Sequence, residues 1–356
     1  MSVKAFLERK NIVFSMQRYG IDAMSAMAQG LFCTLLVGTI LNTLGSQFHI
    51  GFLTAEIVSV GGKELTIGGI ACAMVGPAMA AAIGSALGAT GMVLYSLIPV
   101  GYVTNMLGGA GGPFAVYVVA IVAAEIGKMV SKETKIDILV TPIVTIIAGI
   151  GLAALVAGPI GRAAGWIGNL IMWATELHPF AMGMFVSAIV GIALTLPISS
   201  AAICAGLGLT GLAGGAAVAG CCAQMVGFAV MSFRENRWGG LVSQGIGTSM
   251  LQMGNIIRNP RIWIAPIMAS LITGPVATCI FHMEMNGAAV NSGMGTCGFC
   301  GPIGVWTGWS LSGITPSAMD WTGLVLICIV LPALLCWAFG SILRRIGWIR
   351  PGDLKI

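Results

Sequence analysis

The chain has 356 residues, of which 57% are hydrophobic and 8% charged, with 17 Lys and Arg against 12 Asp and Glu for a formal net charge of +5. Soluble proteins charge roughly a quarter of their residues, so this supply, with a mean hydropathy of +0.96, excludes a water-facing surface and leaves the bilayer as solvent. The cations recur at the ends of apolar tracts instead of gathering in one patch, which is a topology marker and no nucleic-acid signal.

Residues 1–17 carry Glu8, Arg9 and Lys10 but neither a long apolar core nor a small-residue cleavage site, so no cleaved signal peptide is expected. Cationic clusters lie at 4–18, 128–135, 234–237, 258–261 and 344–355. The positive-inside rule places all five, and with them both termini, on the cytoplasmic side of a plasma-membrane protein. Tracts such as 138–160 and 321–343 meet the length of about 20 apolar residues needed to cross the hydrocarbon core. The chain therefore reads as one all-α polytopic membrane domain.

In chain order, 20–44 is an outward span, and 45–66 is an outer segment whose His49, Glu56 and Glu64 suit an interface. Residues 67–103 must cross twice for the charge parity to hold, which splits them into two short helices around 84–91. An inward span follows at 114–130, an outward one at 138–160 and an external segment at 161–168. The stretch 170–230 contains an inward span interrupted near His178-Pro179 and again near Pro197. Residues 239–257 hold Ser243, Gln244, Thr248, Ser249, Gln252 and Asn255 between flanking arginines, so they dip in and return or lie on the surface. Between an outward span at 262–281 and an inward one at 321–343, the Gly-, Asn- and Ser-rich 282–309 is the second irregular stretch. Both are candidate re-entrant segments, since irregular backbone at membrane depth must be buried in protein or line water. Residues 344–356 form a cytoplasmic tail. Fifty-two glycines, some spaced as in Gly84/Gly88 and Gly211/Gly215, predict helices in close backbone contact.

Ionisable groups inside apolar tracts need compensation, because a charge near the bilayer centre costs at least about 2.5 kcal/mol. Glu125 stands three residues before Lys128, the spacing of a helical ion pair. Glu176 and His178 flank a proline break, where freed backbone groups can meet a polar ligand; a pair facing headgroups and water is the competing reading. His282, Glu284, Asn286 and Asn291 combine imidazole, carboxylate and amides, the mixed donors and acceptors that sugar hydroxyls require; an external loop of turn formers is the alternative there. The Cys297/Cys300 CxxC has no second half and reads as close-packed small residues. No GxxxxGK[ST] loop, GxSxG elbow or CxxCH occurs, so no cofactor is expected and no metal site is assigned.

The runs Leu177-His178-Pro179-Phe180-Ala181-Met182-Gly183, Leu194-Thr195-Leu196-Pro197-Ile198-Ser199-Ser200 and Asn291-Ser292-Gly293-Met294-Gly295-Thr296-Cys297-Gly298-Phe299-Cys300-Gly301-Pro302 resemble the membrane IIC subunits of the phosphoenolpyruvate-dependent sugar phosphotransferase system. The likeness is narrower to a stand-alone IIC-like branch associated with toxin regulation. The resemblance implies a homodimer of protomers with about ten transmembrane helices and two re-entrant hairpins. In this chain it implies dimerisation-like helices in 20–160 and a transport part in 161–343. It also implies a sugar held by a His and a Glu, matched here by His178 and Glu284, and phosphorylated by a separate IIB protein. The family's acidic Gly-Ile-Thr-Glu-Pro type motif is absent, and no phosphoryl-carrying residue is recognised. The leading expectation is a sugar or polyol permease subunit working by alternating access with separate IIB and IIA proteins. The alternative is a membrane-embedded ligand sensor or regulator without transport; a passive channel fits less well, because the polar residues form clusters instead of rings.

Overall fold

The computed structural model describes residues 3–60, 63–313 and 315–356, and the chain divides into two compact units, Met1–Ala163 and Ala164–Ile356. Among the described residues six helical stretches are long and apolar enough to cross a membrane, and a bent pair of helices supplies a seventh. Among the described residues the one sheet pairs β1 (Val58–Val60) with β2 (Lys63–Leu65) antiparallel, with Ser59 opposite Glu64. It falls in the outer segment read from the sequence as interfacial.

In the first unit a short helix, α1 (Val3–Arg9), precedes the apolar α2 (Gln17–Ser46), and a helical turn, α3 (Gly51–Thr54), leads into the hairpin. The bent pair follows: α4 (Ile67–Ala73), capped by Thr66, whose hydroxyl accepts from the Gly69 N–H, and α5 (Val75–Ala86), turned by 52° from it. Helices α6 (Gly91–Gly108) and α7 (Gly112–Val130) lie against each other as a hairpin, because Gly109 takes φ +51° between them. The division of 67–103 near 84–91 is thus present, in the break between Ala86 and Gly91. The packing is glycine-driven: a Cβ on Gly76 would stand 2.2 Å from the Gly101 carbonyl oxygen, and one on Gly30 2.7 Å from that of Ala78. In lipid this backbone proximity replaces the hydrophobic effect as the adhesive.

The span expected at 138–160 does not end before the segment 161–168 expected to be external: α8 runs unbroken from Asp137 to Thr175. Gly161 is a packing residue there, its missing side chain admitting the Gly108 carbonyl oxygen, which a Cβ would meet at 2.7 Å. A glycine cluster in a membrane chain signals contact as readily as a bend. The converse also holds. Gly88 and Gly211, expected as packing residues, instead take φ +67° and +64°, ending α5 and opening the helix at 211, while their partners Gly84 and Gly215 are the ones in contact.

The first unit also buries the expected ion pair. Lys128 Nζ lies 2.7 Å from Glu125 Oε2, with the two side chains 3% and 10% exposed. The ammonium further donates to the carbonyls of Asn11 (2.9 Å) and Leu87 (3.0 Å), and Tyr19 donates its hydroxyl to Glu125 Oε1 at 3.0 Å. At the loop after α7, Arg9 and Lys10 both pair with Glu133.

In the second unit the chain after α8 is a series of broken helices: α9 (Pro179–Thr195), α10 (Ser200–Leu207) and α11 (Gly211–Met231). The interruptions fall at His178-Pro179 and Pro197, as the prolines dictate, with one more at Gly208, which takes φ +61°. Helix α11 is the axis of this unit and is almost wholly buried. It packs on α9 through bare backbone, where a Cβ on Gly220 would lie 1.9 Å from the Ser187 carbonyl oxygen, and α14 (Pro260–Ile280) meets α9 in the same way, a Cβ on Gly274 lying 2.0 Å from the Gly183 carbonyl oxygen. The last long helix, α16 (Ala318–Arg345), begins at a Ser317/Asp320 capping box and closes on α11 where Gly227 faces Cys336.

Both stretches expected from the sequence to be irregular are so in part: 239–257 is irregular at 243–252, and 282–309 is irregular as far as 299 and a regular helix from Cys300 on. The first consists of α12 (Phe233–Val242), a π turn at Ser243–Gly247, extended Thr248, a 3₁₀ turn at Ser249–Gln252 and α13 (Met253–Arg258). Its amides are buried and linked: Gln252 Nε2 donates to Gln244 Oε1 (2.9 Å), and Asn255 Nδ2 to Gln252 Oε1 (2.8 Å). The same two amide groups also clamp the tail, donating to the carbonyls of Leu354 and Lys355 at 2.9 Å each, while Asn236 Nδ2 reaches Leu354 O at 2.7 Å. Leu354 is fully buried, so the tail is part of the fold. The second irregular stretch, 281–299, is extended backbone and 3₁₀ turns leading into α15 (Cys300–Leu311).

Candidate functional site

The helix breaks of the second unit are tied to one another. Ser200 Oγ at the start of α10 donates to Gly293 O (2.7 Å), and Ser292 Oγ to Leu209 O (2.5 Å). Gly211 exchanges both backbone hydrogen bonds with Met285, at 3.0 Å each. Gly215 lies so close to this strand-like segment that a Cβ would stand 1.7 Å from Met283 O. Thr278, near the end of α14, donates to Pro179 O at 2.8 Å. Pro197's break, the Gly208–Gly211 turn and the 283–295 segment therefore form one laced region, with the His178-Pro179 turn fastened beside it through Thr278.

The anticipated polar residues take unequal positions in this region. Glu284 is exposed and accepts from Asn286 Nδ2 at 2.8 Å, while Asn286 Oδ1 accepts from the Gly211 N–H at 3.1 Å. The relay orients both amide and carboxylate and leaves Glu284 Oε1 open to solvent or ligand. His178 is exposed and caps α9, its Nδ1 accepting from the Ala181 N–H at 3.3 Å. That bond leaves Nε2 as the nitrogen free to meet a ligand. His282 is exposed at φ +45°, a left-handed conformation that histidine tolerates better than most residues. Asn291 sits half-buried on the 3₁₀ turn against Gly304 of α15. Glu176 is exposed in the break before α9, and its carboxylate joins no hydrogen bond with the others. Glu284 and Asn286 are thus brought together, His178 is held on the adjoining turn, and Glu176, His282 and Asn291 stand apart from that pair.

Thr296 adds a feature the sequence did not single out, a hydroxyl buried at 2% exposure without a hydrogen-bond partner. A buried polar atom of this kind calls for a ligand or a water. Cys297 and Cys300 form no disulfide and lie buried among small residues.

Sequence reasoning also missed a polar node inside the central helix. Gln224, fully buried in α11, accepts from Trp263 Nε1 (2.9 Å) and Thr195 Oγ1 (3.3 Å) and donates to Ser270 Oγ (3.3 Å); Thr195 in turn meets Ser249 Oγ at 2.8 Å. One side chain thereby joins α9, α11, α14 and the first irregular stretch. Its signal was legible, since Gln224 is the one amide in the apolar run 211–231, and an isolated carboxamide there must find partners.

Apolar helices of spanning length with irregular segments among them define a multi-pass membrane protein. The family model for Phosphotransferase system, EIIC matches residues 21–356, and the chain belongs to that family. It is a permease component of the sugar phosphotransferase system, a class that works with IIA and IIB components on a sugar substrate. No curated protein and no solved structure matches the chain. The sensor without transport gains no support from the family match.

Proposed function

We propose that the chain moves a carbohydrate across the plasma membrane by alternating access, coupled to phosphorylation by a separate IIB protein. The second unit is the transport part, and Glu284, Asn286 and His178 are the first contacts of the sugar. The observation that carries this reading is the convergence of the broken segments on the Glu284–Asn286 pair, whose relay to the Gly211 N–H presets the carboxylate for hydroxyl donors. Broken helices near the membrane midplane are where transporters place polar substrates, and Asn291, His282 and Glu176 extend the surface available to larger sugars. In this reading the first unit supplies the contacts of a homodimer, both termini are cytoplasmic, and the segments 239–257 and 282–309, the latter ending within α15, are the re-entrant hairpins.

The test is thermal stabilisation of the purified protein across a panel of sugars, polyols and sugar phosphates, since a ligand that binds only the folded state raises its stability by mass action. The expected result is a hit that Glu284→Gln abolishes and His178→Ala weakens, followed by uptake of that sugar in cells carrying the phosphotransferase components. A sugar bound equally well by both variants and the parent chain would remove these residues from the site.

A further inference from the structure

A cleft of 250 Å³ opens at the end of the second unit where α11 gives way to α12 and meets the last turns of α16. Its origin is steric. Helices α11 and α16 touch at Gly227 and Cys336, where a Cβ on Gly227 would stand 2.5 Å from the sulfur. Further along, α11 stops at Ser232, Gly340 lies against the Met231 side chain, and the helices leave a gap floored by Met231 and walled by Val230, Leu241 and Trp337. The other end of the cleft is polar, with Arg234, Ser341 and Arg344.

The polar groups are not equivalent. Arg344 is committed to the fold, donating to Met231 O at 3.1 Å and pairing with Glu235 at 2.9 Å. Arg234 is exposed and, among the described residues, has neither an ion pair nor a hydrogen bond; the Ser341 hydroxyl likewise has no partner. Glu235 is the sole acid in 230–257 and is already neutralised, while Arg237 and Arg345 add exposed positive charge at the same end of the helices. Exposed Trp238 and Trp337 accompany these arginines, the combination that marks a membrane–water boundary. The cleft is therefore an apolar slot at headgroup depth with a free guanidinium at its mouth. It is also smaller than the roughly 300 Å³ at which pockets enclosing whole small molecules begin, so it suits one part of a ligand whose remainder lies in the bilayer.

We infer that this cleft binds an anionic phospholipid, with an acyl segment between Trp337 and Val230 and the phosphate on Arg234 and Ser341. A zwitterionic lipid would bring its own cation to the same positive rim and is disfavoured.

The experiment uses the full chain, delipidated in a neutral detergent and titrated with phosphatidylglycerol, phosphatidylcholine or glycerol 3-phosphate, read by native mass spectrometry and apparent Tm. Phosphatidylglycerol is expected to remain bound and raise Tm, the other two to do neither. Arg234→Gln, which removes no contact of the fold, should weaken phosphatidylglycerol roughly fivefold, the effect of one basic residue at an anionic lipid surface. Arg162→Gln, an equal charge loss at another exposed position, should leave it unchanged. Equal effects of the two lipids, or undiminished binding by Arg234→Gln, would overturn the proposal; an equal shift with glycerol 3-phosphate would assign the cleft to a soluble phosphate ester instead.

Discussion

Gly220→Ala is the sharpest test of how the second unit is held together. The added methyl would meet Ser187 at its carbonyl oxygen (1.9 Å), carbonyl carbon (2.5 Å) and Cα (2.7 Å). All three are backbone atoms, so no side chain can rotate away, and reaching the 3.0 Å floor of real Cβ contacts needs about 1 Å of separation between α9 and α11, enough to forfeit a large part of their dispersion energy. Overpacking costs about 1–3 kcal/mol, and the upper end applies where only backbone can yield. The helix-propensity gain of up to about 1 kcal/mol for Gly→Ala offsets part of it, leaving a net loss near 2 kcal/mol. For a unit of this size that lowers the apparent Tm by about 4–8 °C. Gly165→Ala and Gly206→Ala are the controls, because no atom lies within 4 Å of the position a Cβ would take at either; they should match or slightly exceed the parent. Thermal unfolding of the detergent-solubilised chain, followed by fluorescence-detected size exclusion, reads all three. A Gly220→Ala protein as stable as the two controls would refute the argument that glycine contact sets the spacing of these helices.

Lys128→Ala should cost about 3–5 kcal/mol by leaving Glu125 buried and unpaired, visible as loss of the monodisperse peak, and Lys128→Met with Glu125→Gln should recover most of it. Gln224→Ala strands the Trp263 N–H and frees Ser270 and Thr195, so a loss of about 1–3 kcal/mol is expected in apparent Tm, with a change in Trp263 fluorescence as the local readout. Glu133 is held below the ordinary carboxylate range first by its hydrogen bond from Lys10 and then by Arg9. A depressed carboxyl stabilises the fold above its unfolded value of about 4.3, and that contribution fades as pH falls through the lower folded value. The acid limb of an apparent-Tm profile should accordingly be shallower in Glu133→Gln than in the parent chain, while an unchanged limb would mean the clamp carries no linkage.

Much of the fold was legible because lipid imposes a coarse code. Long apolar runs bounded by cations had to be helices, and Pro179 and Pro197 had to interrupt them, since a proline has no N–H to donate and disfavours a helical predecessor. What escaped was the meaning of individual glycines. Gly161 and Gly88 are alike in a sequence, yet one admits a neighbouring carbonyl inside a helix and the other takes a positive φ to end one; only the partner chain segment decides between them. At the site, the residue types at 284 and 286 announced polar chemistry, but the relay through the Gly211 N–H depends on a pairing across some 75 residues that no local pattern encodes. Gln224 was visible by composition and overlooked because one amide in an apolar span draws less notice than a cluster.

The clamp on the tail has a consequence for biogenesis. Gln252 and Asn255 each direct an amide hydrogen to carbonyls that lie 102 and 100 residues later in the chain. During synthesis these amides are committed to an irregular segment long before their partners leave the ribosome, so the first irregular stretch stays incompletely bonded through the insertion of two further long helices. Leu354 and Lys355 are then the latch of maturation. A chain halted just short of Leu354 would leave these amides without those carbonyls even with α16 inserted.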